Sequence, residues 1–318
     1  MTKSKYNPYE EITNQVVQAM KDHGTNWSMP WQQNVKNGLP SNVVTGNHYR
    51  GINIWLLCFK NMPSPIWGTF KQWFDLGGGK KDDKGRIITP SKYSTKGAKG
   101  TKIYFNKPMP YTDKITGEDK SYWMMKSYTV FNLSQVSGTE DLPIKDNPNL
   151  VELTDDITTH EPFEGFVSDT KAKIINGNGR AYFSSSDDVI GMPSRETFTG
   201  TKTSTSTEAY YSTLAHELIH WSGHKTRLDR LKTGGMRSKE YAFEELVAEL
   251  GAVFLNVSFG IKTQPSQDNA EYLNNWIERL QNDHKYITSA MSQATKAIDH
   301  LNSYKEEKKV EYTVLLTA

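Results

Sequence analysis

Residues 213–227 read TLAHELIHWSGHKTR, and within them His216, Glu217 and His220 form a His-Glu-x-x-His sequence. Positions four apart share one face of a helix, so the two imidazoles converge about one turn apart. Glu217 directly follows the first histidine and can reach a water held between the rings. Hydrolytic zinc sites use three protein ligands and leave the fourth position to a water that attacks a carbonyl. The stretch therefore predicts a metal-binding helix with Glu217 as general base, and its confirming context is the helix itself.

That context is present. Residues 204–208, STSTE, supply hydroxyl caps and an early carboxylate. Tyr211, Leu214, Ala215, Leu218 and Ser222 then recur at spacings of three and four, and Gly223 can end the element. A third ligand has to come from elsewhere. Residues 239–257, KEYAFEELVAELGAVFLNV, place Glu244, Glu245 and Glu249 among Tyr241, Leu246, Val247, Leu250, Val253 and Phe254. Carboxylates avoid such neighbours unless a partner holds them there. Glu245 and Glu249 lie one turn apart on one face. Glu245 is assigned as the third ligand and Glu249 as the group that orients an imidazole. The reverse assignment stays open, as does Glu244. His224 falls two residues short of the third histidine of an HExxHxxGxxH pattern, a position held here by Thr226, and is not counted as a ligand. It is placed at the helix end or near substrate. Tyr241, Tyr272 and His284 are the candidates for steadying an oxyanion. A His2Glu donor set suits Zn2+, and Mn2+ or Ni2+ can occupy the same atoms.

The net charge of +2 over 318 residues hides an asymmetry. Residues 1–135 hold 19 Lys or Arg against 9 Asp or Glu, whereas residues 136–318 hold 19 against 27. The first part also carries six of the eight tryptophans. A basic surface interleaved with aromatic rings suits single-stranded nucleic acid, because cations follow the backbone while rings stack on splayed bases. Arg50, Lys71, Lys92, Lys96, Lys99 and Lys102 are the phosphate candidates. Trp31, Tyr49, Trp73 and Tyr93 are the stacking candidates. No helix-turn-helix, zinc-finger or basic-zipper pattern indicates sequence specificity.

These features predict two α+β domains, at 1–136 and 162–318, joined by an acidic, proline-containing linker at 137–161. Residues 9–23 read as a helix. Residues 50–59, RGINIWLLCF, fit either strand or helix. Two strands flank a turn at 112–119. A helix follows Pro162 through residue 174, and then AYF and DVIGM pair as short antiparallel strands. A strand beside the metal helix could hold an extended polypeptide by its backbone. Helices at 268–282 and 284–304 complete the chain. The single Cys58 excludes intrachain disulfides, and no apolar run reaches membrane-spanning length. The N-terminal MTKSKYNPYEEI lacks a signal-peptide core, so a cytoplasmic protein is expected. No heptad or exposed apolar stripe sets an oligomeric state.

The layout resembles the ArdC-type antirestriction proteins of conjugative plasmids. In the first half the likeness rests on WSMPW, NGLPSNVVTGNHYRGINIWLL, TFKQW, KGAKGTKIYF and YTVFNLSQV. In the second it rests on AYFSSSDDVIGMP, YYSTLAHELIHWSGHKTRLDR, FEELVAELGAVFL and YLNNWIERL. The resemblance implies an N-terminal ssDNA-binding domain and a zincin-like metallopeptidase domain with an HExxH helix and a following glutamate helix. It further implies metal on His216 and His220, completed by a glutamate of EELVAE, and a catalytic Glu217. The implied task is protection of an incoming plasmid strand from host restriction. The stretch GGGKKDDKGRIITPSKY departs from the family's pattern, and the resemblance names no peptide substrate.

Overall fold

The computed structural model describes residues 7–24, 37–140, 142, 159–201, 204–232, 238–262 and 269–305. Contacts divide the chain into two units, Met1–Leu150 with Asn256–Ser292, and Val151–Leu255 with Gln293–Ala318. Most of the stretch read as a linker, 137–161, lies outside the described residues.

The first unit opens with helix α1 (Pro8–His23), whose Asn7 cap accepts the Tyr9 N–H while Pro8 fixes the first turn. Ile12, Val16, Val17 and Met20 form its buried stripe. Each such side chain contributes about 1.5–3 kcal/mol by leaving water. The apolar run after Arg50 resolves to helix α2 (Ile52–Cys58), every residue of which is buried. Asn53 fixes it there: its side chain donates to Tyr104 O at 2.7 Å and accepts Tyr104 N–H at 2.8 Å.

Strand β1 (Ser41–Asn42) lies parallel to β2 (Ile66–Thr69). Helix α3 (Phe70–Leu76) starts on a reciprocal cap between Thr69 and Gln72. After the small β3 (Lys80–Lys81) and β4 (Ile87–Thr89) pair come β5 (Thr101–Thr112) and β6 (Asp119–Asn132). The sheet order is β1-β2-β6-β5. β5 and β6 are paired from Thr101↔Val130 to Thr112↔Asp119, whereas β6 meets β2 only over Val130–Asn132. Beyond that point the hairpin runs on as a two-stranded ribbon. Its root is anchored by Tyr49, Leu57, Trp67, Ile103 and Val130.

In the second unit helix α4 (Glu161–Thr170) stops earlier than the sequence suggests. Lys171 turns left-handed at φ 59°, and KIIN becomes strand β7 (Lys173–Asn176). The alternation of Ile174 with its neighbours is too short to announce a strand. β7 pairs parallel with β9 (Val189–Met192), and β8 (Tyr182–Ser184) pairs antiparallel with β9 on the other side. β8 is therefore an edge strand. Helix α5 (Ser206–Ser222) carries the reciprocal Thr205–Glu208 cap and buries nearly every residue. Helix α6 (Lys239–Phe259) follows; α7 (Asn269–Asn282) and the start of α8 (Tyr286–Ser303) belong to the first unit, and α8 returns to the second from Gln293. No helix among the described residues is long and apolar enough to cross a membrane.

Candidate metal centre

The centre depends on how closely α5 and α6 approach. Gly251 sits where a Cβ would stand 2.7 Å from the Ile219 side chain, so glycine lets α6 lie against α5. Leu218, Ile219, Leu246, Val247 and Leu250 fill the contact without measurable exposure. The helices then bring His216, His220 and Glu245 together, with one donor atom of each inside 4.8 Å.

The imidazoles face each other through Nε2, 3.0 Å apart. Glu245 Oε2 is 3.4 Å from His216 Nε2, and its Oε1 is 3.6 Å from His220 Nε2. Tetrahedral donors about 2.0–2.1 Å from zinc stand roughly 3.3 Å from each other, so this donor set fits the ion. The remaining ring nitrogens point away and meet carboxylates. His220 Nδ1 is 3.1 Å from Glu244 Oε1, and His216 Nδ1 is 3.4 Å from Glu249 Oε1. Each imidazole is gripped from behind while its Nε2 faces the centre, as ligand histidines require. Glu249 thus stands behind His216, and Glu244 has the matching place behind His220.

Arg230, which the sequence reading missed, completes the support. Its Nε and Nη2 donate to both Glu244 oxygens at 2.7 and 2.8 Å, and Nη2 also donates to Ile219 O at 2.6 Å. Gly223 leaves the necessary room, since a Cβ there would lie 2.8 Å from that guanidinium. The signal available in sequence was the arginine closing TRLDR, just past the metal helix.

Burial opposes charge on His216, but bonds to Glu245 and Glu249 outweigh it and raise its pKa well above the ordinary histidine value. His220 follows the same balance, with Glu244 and Glu245 lifting it to about 9. Burial likewise opposes ionisation of Glu245 and Glu244, yet the histidines, and for Glu244 chiefly Arg230, hold both below the ordinary carboxylate range. The cluster is a buried set of compensating charges.

Glu217 is buried beside this set, and burial raises its pKa. The Phe183 backbone N–H on β8 bonds its carboxylate. Register explains that contact. Phe183 opposes Ile190 on β9, and the edge strand keeps the groups on its other side for partners outside the sheet. His224 lies at the helix end, with Nε2 3.1 Å from Ser185 O and Nδ1 2.7 Å from Thr226 Oγ1. Arg227 adds a bidentate pair to Asp188, so the β8–β9 turn is fastened to the loop after α5. Tyr241 precedes Glu245 by one helical turn on the same face. Tyr272 lies outside the described side chains, and His284 belongs to the first unit, where its carbonyl accepts from Thr13 at 2.9 Å.

The described geometry agrees with comparison to known proteins. The family described as a zincin-like metallopeptidase matches residues 161–293, and the N-terminal domain of anti-restriction factor ArdC matches residues 6–131. Both halves of the chain are therefore similar, in the same order, to the two domains of an ArdC-type protein. A crystal structure of the metal-free antirestriction ArdC protein from plasmid R388 superposes with TM-score 0.72 at 29% identity, covering 94% of this chain and 98% of that one. The Mn(II)-bound structure of that protein superposes with TM-score 0.69 at the same 29% identity, covering 96% and 100%. An uncharacterized protein of Sinorhizobium fredii is 28% identical over 94% of this chain and 92% of its own length. Two DNA primases TraC of Escherichia coli are each 30% identical over 95% and 96% of this chain. This chain spans only 20% and 28% of those primases.

The basic half of the chain departs from the sequence reading at its stacking candidates. Tyr49, Trp73 and Tyr93 are core residues, 6%, 1% and 6% exposed, and offer no open ring for stacking. Trp73 is fixed by donating to Phe131 O, and Tyr93 packs edge-on against it. Trp31 lies outside the described residues. Lys71 is paired with Asp75 and Lys102 with Glu11, while Lys92 covers the Tyr93 ring. Arg50, Lys96 and Lys99 are exposed in loops.

Apart from Phe70 on α3, the large exposed rings of the first unit's described residues are on the ribbon instead. Residues opposite each other in an antiparallel pair share a face. One face therefore carries Phe105 with Lys126, Lys107 with Met124, Met109 with Tyr122, and Tyr111 with Lys120, after Ile103 with Tyr128 at its root. Aromatic rings and lysines alternate along it, and none of these residues is acidic. Phe105 and Tyr128 meet edge to face at 5.7 Å, and Tyr111 meets Tyr122 at 6.0 Å. Trp123, 72% exposed, is on the other face. The alternation was readable in FNKPMPY and KSYWMMKSY at period two.

Proposed function

We propose that this protein is a cytoplasmic antirestriction factor that binds single-stranded DNA without sequence preference and carries a metal-dependent peptidase site. The observation that carries the reading is the convergence of two imidazole Nε2 atoms and the Glu245 carboxylate beside a buried, backbone-held Glu217. His216, His220 and Glu245 would hold Zn2+, with Mn2+ the alternative that an ArdC relative accepts in a crystal. The ion, when bound, supplies Lewis acidity for a peptide carbonyl and for the attacking water. Glu217 takes the proton of that water and returns one to the leaving amine. Its raised pKa suits both transfers. Glu249 and Glu244 keep the ligand rings oriented, and β8 is placed to align an extended polypeptide. The ribbon gives the DNA-binding half its stacking surface, and the domain boundaries proposed are 1–136 and 162–318.

The test compares wild type with Glu217→Gln on an unfolded protein such as casein, with and without ssDNA, while metal content is read on the same samples. Cleavage by wild type alone supports the peptidase. Absence of cleavage by a metal-loaded, ssDNA-bound wild type would sink it and leave a DNA-protecting protein with a silent metal domain.

A further inference from the structure

Where the ribbon leaves the sheet, the first unit has an open cleft of about 350 Å³. That volume lies in the range of small-ligand sites. On the ribbon side it is lined by Ile103, Phe105, Lys107 and Tyr128, and on the opposite side by Asn42, Tyr49 and the Thr69–Gln72 helix start. We propose that this cleft seats one unstacked base of a single DNA strand, with Lys107 on the adjoining phosphate. The proposal rests on the ssDNA reading above and adds to it a defined subsite.

Three observations carry it. Phe105 and Tyr128 meet at an interplanar angle of 73°, so the pair offers a flat ring face together with a ring edge. Phe105 is 42% exposed, an apolar ring left largely in water beyond its contact with Tyr128. Aromatic faces of this kind stack any base.

The second observation is a fixed pair of amides. Asn42 Oδ1 accepts the N–H groups of Val44 and Thr45 and one from Gln72 Nε2. Gln72 Oε1 accepts Thr69 N–H at 2.8 Å, which sets the amide's orientation. Gln72 Nε2 carries two protons, and Asn42 accepts one of them. The other is available for an acceptor on a base edge. An apolar side chain from a protein partner would leave that donor unused.

The third is charge. Lys107 lies over the Tyr128 ring at 5.8 Å and has no carboxylate partner among the described residues. Lys126, opposite Phe105, likewise has none. A ligand that is flat, bears acceptors and is joined to an anion uses the rings, the amide and the lysines together. A nucleotide within a strand has all three properties.

The experiment uses the full chain, a fluorescent oligothymidine and an abasic strand of equal length, read by anisotropy. Wild type should prefer the intact strand. Phe105→Ala should bind it about tenfold more weakly and lose most of that preference. Phe105→Leu, which keeps volume without a ring, should behave like Phe105→Ala if stacking matters. Equal binding by wild type and both variants overturns the subsite. So does indifference of wild type to base removal. A 5-iodouracil strand should photo-crosslink at Phe105 or Tyr128, and crosslinks confined to Trp123 would overturn the placement. If wild type binds no ssDNA, the parent reading fails, and saturation by dTMP lost in Phe105→Ala decides the cleft separately. No saturation sinks it.

Discussion

The metal centre and the ribbon both gather charge, but in opposite ways. At the centre His216, His220, Glu244, Glu245, Glu249 and Arg230 are buried or nearly so, and every charge faces a compensating one. On the ribbon Lys107 and Lys126 stand beside exposed rings with no carboxylate among the described residues facing them. Buried charge is stable only when its partner is fixed, so the centre is specified by geometry. Open charge is cheap in water and gains its partner from a polyanion, so the ribbon is specified by sign and spacing. Mutations should therefore cost metal affinity and stability at the centre, and salt-dependent binding on the ribbon.

The largest expected effect is loss of the ion. His220→Ala removes a donor and leaves Glu244 and Glu245 without the imidazole between them. Metal analysis after dialysis should find wild type loaded and the variant empty. Added Zn2+ should raise the melting temperature of wild type only, since a ligand at about 1,000 times its Kd adds roughly 4 kcal/mol. Equal loading would break the comparison at its root.

Next comes Arg230, which touches no donor atom of the proposed metal site. Arg230→Met leaves Glu244 buried without its bidentate partner, a change that costs about 3–5 kcal/mol when one member of a buried pair is removed. With Glu244 loosened, His220 is held less firmly, and metal affinity should fall about 10–100-fold. Urea unfolding and competitive metal titration measure the two effects. Glu244→Gln with Arg230→Met should recover part of the stability, because the unpaired charge is gone, but not the affinity. Recovery of both would mean that the carboxylate does not support the ring.

How much of this was legible in sequence follows the same division. The HExxH helix announces itself because its spacing, cap and terminal glycine are local, and the structure has the cap at Thr205 and the end at Gly223. Glu245 and Glu249 could be paired because i and i+4 fix a face, but which of the two meets the imidazole Nε2 atoms could not be read. The place of Glu244 could not, since it depends on how α6 rolls against α5 and on an arginine fourteen residues away. The first two residues of strand β7 were read as helix because a left-handed Lys171, which ends α4, has no side-chain signature. For the basic half, composition offered Tyr49, Trp73 and Tyr93 as stacking rings, and the structure buries all three. Trp73 and Tyr93 are aromatic because the core needs volume. Rings that face water were marked only by period-two alternation with lysine, a pattern of faces that composition cannot show.

On the ribbon, Lys107→Ala with Lys126→Ala should lower the slope of log affinity against log salt by about 1.4, at roughly 0.7 per single-strand phosphate contact. Thermal unfolding should stay unchanged, since neither lysine has a carboxylate partner to lose among the described residues. A stability loss without a slope change would make these lysines structural and remove the contrast with the centre.

The smallest effect is expected at Lys71, which composition alone ranks beside the ribbon lysines. Its ammonium lies 2.5 Å from Asp75, with the two side chains 82% and 51% exposed. So exposed a pair holds weakly, and Lys71 could exchange Asp75 for a phosphate at little cost. The exchange would still leave the Asp75 charge one helical turn away, repelling the same phosphate. Attraction and repulsion nearly cancel, and little counterion release remains to be measured. Lys71→Ala should therefore leave both the salt slope and the melting temperature within error. Asp75→Ala, by contrast, should steepen the slope by freeing the lysine. If Lys71→Ala flattened the slope as much as either ribbon variant, proximity to a carboxylate would not be what separates binding lysines from idle ones. The strand would then track α3 as well as the ribbon.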